Sequence, residues 1–472
     1  MFGISILILL PLIIFSILYL PFVSTLPYLD GNIQFNMSYD VYAGGIGNYF
    51  MQWKSVHPPF KFIADSIFFR MFGVNPATYN ILGYIFGLLG IIYLFKLSKS
   101  ILNKKTAFFA SLLLSVSPMF LSAGVFSLTD YLMTVLIVIS IYYYSRGDYV
   151  LYGLFASVTV LTKETALLLP FSVMIIEGFS YLRTIVKKTG NATLSIIKGL
   201  YLILPLIIYS LWGLSLAMSG QKAWNDWNFS STAREGSFYT ILNNLITFKF
   251  LNDYAFQSWT QLFFLNFIWI FWGLFIVGLI LYLYRNLGYA IKKIYLGEQN
   301  TKALLTFIIF SVLYVVMVLS FQTFTVPRYA LPVIIPLLIG TAWAIDKITG
   351  RFGITGKTLF FIFFATILVV RLFYSLDPIS IKLWGQTKVF NLTFYALDKH
   401  LAGNEGIAYN MEYLLAARYR SGKIKSAKGY ILSGQCDWMF PDPNNDFKMI
   451  NAFKLYNIDF AFPCSYNYWN NL

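Results

Sequence analysis

Histidine, cysteine and acidic residues are scarce in this sequence, and each shortage removes a class of function. There are only two histidines, His57 and His400, and two cysteines, Cys436 and Cys464, in 472 residues. A structural zinc site takes about four Cys or His ligands, so none is expected. The two cysteines lie late in the chain, where a disulfide and a pair of buried thiols fit the spacing equally well. Charged side chains make up 12% of the chain, and Asp plus Glu number 20 against 35 Lys plus Arg. Hydrophobic residues reach 58% and aromatic ones 19%, giving a mean hydropathy of +0.66. Such a composition excludes an ordinary soluble domain.

Apolar stretches of about 20 residues, enough to cross roughly 30 Å of hydrocarbon, recur along the first four fifths of the chain. They fall near 2–23, 77–97, 106–125, 128–145, 149–162, 165–182, 197–218, 261–284, 303–321, 329–346 and 358–375. The expected fold is therefore an α-helical polytopic membrane protein with about eleven transmembrane helices. The first stretch has no basic leader and outruns the roughly 7–15 apolar residues of a signal peptide, so it is read as a helix.

A net charge of +15 invites comparison with nucleic-acid-binding proteins, but its distribution points elsewhere. With a cytoplasmic N-terminus, alternate loops carry Lys96, Lys99, Lys104, Lys105, Arg146, Lys187, Lys188, Lys292 and Lys293 against few acids. The opposite loops balance Lys54, Lys61, Arg70, Lys163 and Arg328 with Asp30, Asp40, Asp65, Asp130 and Glu164. That is the positive-inside pattern. The basic excess reports topology and anionic lipid, and no nucleic-acid partner is expected. An odd number of spans then places the C-terminal segment outside the cell membrane.

Residues 1–375 are expected to form a transmembrane domain with two long external loops, 24–76 and 219–260. In the first loop, VYAGGIGNYFMQW (41–53) suits a helix lying along the membrane surface. His57-Pro58-Pro59 interrupts it, because proline pushes the preceding residue out of helical conformation. FKFIADSIFFRMFG then forms a second helix ending at Gly73. The loop 219–260 suits a segment ordering over a substrate or a wet loop with aromatic anchors. In residues 376–472 charge rises and apolar runs stop, and strand-like and helix-like patterns alternate. A small external α/β domain is expected there.

The chemistry gathers on the external side, where Asp40, His57, Asp130, Lys163, Glu164 and Arg328 all fall at predicted helix ends or in loops. Ionisable groups near bilayer depth are expensive and face a cavity or a partner. Each also has an ordinary role. Asp40 and Asp130 suit helix caps, His57 suits closure of a rigid turn, Lys163 and Glu164 suit ion pairs, and Arg328 suits a snorkelling position.

SYDVYAGGIGNYFMQWKSVHPPF (38–60) resembles the first-loop signature of the GT-C glycosyltransferases, in particular the protein O-mannosyltransferase and aminoarabinose-transferase branch. The resemblance extends to Ser117-Pro118 ahead of Thr129-Asp130, to Lys163-Glu164-Thr165 before a run ending at Pro170, and to Arg328-Tyr329 followed by Leu331-Pro332 and Pro336. It covers about residues 1–350 in order. It implies a polyprenyl-phosphate sugar donor and a protein, glycan or lipid acceptor, with membrane lipid as a further partner. Asp40 would be the general base. His57, Asp130, Lys163, Glu164 and Arg328 would bind substrate, with Arg328 or Lys163 neutralising the departing phosphate. The family commonly follows its acid with Glu, whereas Val41 stands here, so Asp30 is a rival base. No cofactor is implied, and a divalent metal stays open. A transporter or lipid flippase is the alternative, since it too carries intramembrane charge.

Overall fold

The computed structural model describes residues 6–24, 30–51, 57–187, 192–218, 298–320, 327–350 and 352–373, with a few between 243 and 280. Every regular element among them is helical. The loop 219–260, the span near 261–284 and the α/β domain expected at 376–472 lie outside the described residues apart from those few. Helix α1 covers Ile6–Tyr19, α2 Asp30–Met51, α3 Phe60–Phe72, α4 Pro76–Ile101, α5 Lys104–Ser115, α6 Pro118–Val125 and α7 Thr129–Ser145. They are followed by α8 Tyr149–Val160, α9 Leu168–Lys187, α10 Ala192–Met218, α11 Gln299–Ser320, α12 Leu331–Thr349 and α13 Ile354–Phe373.

Helix ends follow local chemistry. Asn75 caps α4, its side chain accepting from the Thr78 N–H at 2.8 Å, with Pro76 at the first helical position. Asn103 likewise caps α5, and Asp148 caps α8 after a turn in which Gly147 adopts φ 71°. The expected surface helix begins earlier than its apolar pattern suggested, at Asp30, and is broken at Gly45, whose φ of 72° no helix tolerates. The second loop helix is found where expected, entered from Pro59 and closed by Gly73 at φ 81°.

Pro76–Ile101, Lys198–Ser215, Gln299–Val318 and Leu331–Thr349 are long and apolar enough to cross a membrane. The span expected at 106–125 is bent by 56° between α5 and α6, where Pro118 opens the second helix without a backbone N–H to donate. Helix α7 is central, and every residue from Thr129 to Ile141 is buried. It packs on α4, α8, α11 and α12. Helix α4 approaches its neighbours through small residues. A Cβ on Gly83 would run into the Gly124 carbonyl, and one on Gly87 into the Phe15 ring. Large apolar side chains on α1, α9, α10 and α13, including Ile17, Phe179, Leu211 and Leu359, face outward. Apolar surface on this scale belongs against lipid; the protein is an integral membrane protein.

Candidate active site

Two ion pairs meet at the end of the bundle that carries the first loop. After α8, Lys163 is extended and Glu164 opens a 3₁₀ turn, Glu164–Leu167, leading into α9. Their side chains go to different elements. The Lys163 ammonium pairs closely with Asp130 in the first turn of α7, both side chains being buried. Glu164 meets His57 at 3.0 Å, both half-buried. Burial alone would push the Lys163 ammonium down, but the Asp130 carboxylate outweighs it and holds lysine above its ordinary value. Burial would likewise raise the Glu164 carboxyl, and the His57 imidazole reverses this, holding it below the usual carboxylate range.

The main chain also joins the two segments. The Phe60 N–H, at the start of α3, donates to the Leu161 carbonyl at 2.9 Å. The loop from His57 to Phe60 is thereby tied to the turn bearing Lys163 and Glu164. Arg328 lies in a 3₁₀ turn, Pro327–Ala330, before α12; its side chain is outside the described residues. The next residue, Tyr329, presents its ring to the Lys163 ammonium at 4.5 Å.

Asp130 is not an N-cap. Leu128 holds that position, and the Thr129 N–H is taken by Gln34 Oε1 of α2 at 3.2 Å. This bond docks α2 on the start of α7. Asp40 lies further along α2, half-buried, on the face opposite Ser38. Asp30 opens the same helix, its side chain outside the described residues. Of the seven residues singled out from sequence, His57, Asp130, Lys163 and Glu164 are brought together. The turn holding Arg328 is at the same end through Tyr329.

Sequence reasoning missed Tyr314 of α11 and Tyr329. The Tyr314 hydroxyl is fully buried within electrostatic reach of Asp130, Tyr329 and Glu164, and approaches Thr165 without a well-formed hydrogen bond. Nothing distinguishes it from other tyrosines in the sequence. Also missed was a buried pair, Lys61 and Asp65 on α3, signalled by opposite charges four residues apart in an otherwise apolar helix. Among the described residues, no group of three or more His, Cys, Asp or Glu side chains could hold a metal ion.

The fold is similar to the GT-C type seen in solved membrane enzymes. The fold is similar to that of ArnT from Cupriavidus metallidurans in the apo state, with a TM-score of 0.51 and 16% identity over 88% of this chain and 72% of that one. It is also similar to the archaeal oligosaccharyltransferase AglB from Archaeoglobus fulgidus in complex with an inhibitory peptide and a dolichol-phosphate. There the TM-score is 0.52 and the identity 11%, over 96% of this chain and 68% of that one. Within the chain, residues 56–212 match the family described as dolichyl-phosphate-mannose-protein mannosyltransferase. The matched stretch includes His57, Asp130, Lys163 and Glu164, and leaves Asp40 and Arg328 outside it. No curated protein sequence matches the chain.

Proposed function

We propose that this protein is a membrane glycosyltransferase that moves a hexose-type sugar from a polyprenyl-phosphate donor to an acceptor hydroxyl on the external face of the cell membrane. One observation carries the reading. The paired groups His57–Glu164 and Lys163–Asp130 meet in one place, beside the docked base of α2, in a fold similar to that of an oligosaccharyltransferase solved with a dolichol-phosphate. The AglB structure named above holds a dolichol-phosphate, a molecule of the donor's chemical type.

In the proposed step the acceptor oxygen attacks the sugar C1 as the C1–O bond to the lipid phosphate breaks. The acceptor's proton passes to Asp40, a general-base contribution of about 10²–10⁴-fold. Entry opposite the leaving group inverts C1, as in inverting sugar chemistry. The departing phosphate gathers negative charge, met by Arg328 through a two-pronged contact and by His57. Lys163, already neutralised by Asp130, serves instead to hold Tyr329 and the turn that bears Arg328. Asp130 orients Lys163, and Glu164 orients the His57 ring.

The test is transfer of labelled sugar from a panel of short-chain polyprenyl-phosphate sugars by the full chain in vesicles. Asp40→Asn is expected to lower kcat by about 10²-fold or more, and Asp30→Asn to leave it within a few-fold. Native transfer by Asp40→Asn removes the base assignment, and loss confined to Asp30→Asn moves that role to Asp30. Consumption of no donor, with lipid or solute movement across the vesicle wall, would favour a transporter.

A further inference from the structure

A second buried ion pair lies outside the cluster described above and grips α2. Lys61 and Asp65, one turn apart on α3, have side chains wholly removed from solvent and meet at 2.5 Å. Each is linked onward to α2. Lys61 Nζ donates to the Tyr79 hydroxyl at 3.0 Å, and that hydroxyl donates to the Gly31 carbonyl at 3.0 Å. The Ser38 hydroxyl donates to Asp65 Oδ2 at 2.7 Å. Gly31 and Ser38 are seven residues apart, so they share one face of α2 about two turns apart.

Stability alone does not account for this pair. Two buried charges are about as stable as, or less stable than, an apolar pair of the same volume. Burial pushes the Asp65 carboxyl up and the Lys61 ammonium down, each opposed by its partner. Asp65 Oδ1 is buried with no hydrogen-bond partner among the described residues. What an ion pair supplies and an apolar pair cannot is direction. Two directed grips on one face of a helix fix its rotation about its own axis. Asp40 follows Ser38 by two residues, roughly 200° around the helix, so that rotation sets where Asp40 points. Gly31 adds a steric stop, since a Cβ there would lie 3.1 Å from the Phe126 carbonyl.

We propose that Lys61 and Asp65 are positioning residues: the pair, acting through Ser38 and through Tyr79 to Gly31, holds α2 at the rotation that aims Asp40 into the active site. The consequence for catalysis rests on the glycosyltransferase reading, while the rotational setting does not, and two readouts separate them. The first is transfer kinetics of the full chain in vesicles for Ser38→Ala and for the apolar pair Lys61→Met/Asp65→Leu. A misplacement of about 1 Å can lower the rate by about 10²-fold, so the apolar pair is expected to lose 10- to 100-fold in kcat with donor KM within about twofold, and Ser38→Ala several-fold. The second readout is labelling by a water-soluble maleimide of Asp40→Cys and Val41→Cys, with Cys436 and Cys464 replaced by Ser. Val41 is buried and Asp40 is not, so position 40 is expected to react much faster. In the apolar-pair background the two rates should converge.

Loss of the labelling contrast together with a kcat-only defect supports the proposal. A contrast that persists overturns the rotational device, and a lost contrast with unchanged kcat overturns its role in positioning Asp40. If the native chain transfers no sugar, the glycosyltransferase reading fails, and labelling alone decides whether the pair sets α2.

Discussion

Removing one member of the Asp130–Lys163 pair should cost far more than removing both. The two side chains are 3% and 4% exposed, so Asp130→Asn leaves an ammonium with little water to solvate it. Breaking a buried pair from one side costs about 3–5 kcal/mol, and loss of the Tyr329 contact in Lys163→Met adds about 0.5–2 kcal/mol. Asp130→Asn/Lys163→Met removes the stranded charge and is expected to regain most of the loss. The coupling between the sites should then be at least about 2 kcal/mol, within the range for groups in direct contact. Reversible unfolding of the native chain and the three variants in mixed micelles measures this directly. Effects that simply add, with coupling below about 0.5 kcal/mol, would refute the account of Lys163 as already neutralised. Lys163 would then be available to the donor phosphate, and Lys163→Met would raise donor KM without weakening the fold.

The Glu164 carboxyl lies below its ordinary value because of His57. Its contribution to stability is complete above an unfolded glutamate's pKa of about 4.3 and disappears as pH falls through the lowered folded value. Glu164→Gln should flatten that acid limb in unfolding measured against pH. Tyr152→Phe, which deletes a fully buried hydroxyl without a hydrogen-bond partner among the described residues, is expected to raise stability by about 1 kcal/mol; a loss of that size would reveal a partner. Gly83→Ala should destabilise by about 1–3 kcal/mol or more, since α4 must retreat from the Gly124 carbonyl. At the other end of the bundle, Glu177 receives Lys198 at 2.6 Å, Lys302 at 3.1 Å and Tyr144 at 2.8 Å. Glu177→Gln should therefore weaken the fold while donor KM stays within about twofold, because the cluster is remote from the site.

Much of this was legible in the residue order. The α3 helix could be bounded from Pro59 and Gly73 because both act through their own backbone. The spans Pro76–Ile101, Lys198–Ser215, Gln299–Val318 and Leu331–Thr349 could be placed from apolar run lengths because hydrocarbon thickness sets them. The fate of Asp130 could not. A carboxylate in the first turn of a helix suits the helix dipole and an ion pair equally well, and its partner lies 33 residues away, a distance at which no local rule acts. Tyr314 was illegible for a related reason, since its significance comes from three other elements converging on one hydroxyl. The Lys61–Asp65 pair was present as an i,i+4 signal, but that spacing is common on solvated helices, and only burial gives it meaning.

The hydrogen bond from the Phe60 N–H to the Leu161 carbonyl has a bearing on how the site could diversify. The nearness of positions 57 and 164 is held by peptide groups that any residue at either position would leave intact. Substituting one or both side chains would alter charge, reach or polarity at a fixed separation. If the proposed transfer reaction holds, descendants of this chain could exchange one donor-headgroup preference for another by point mutation at those positions, with no loop to rebuild.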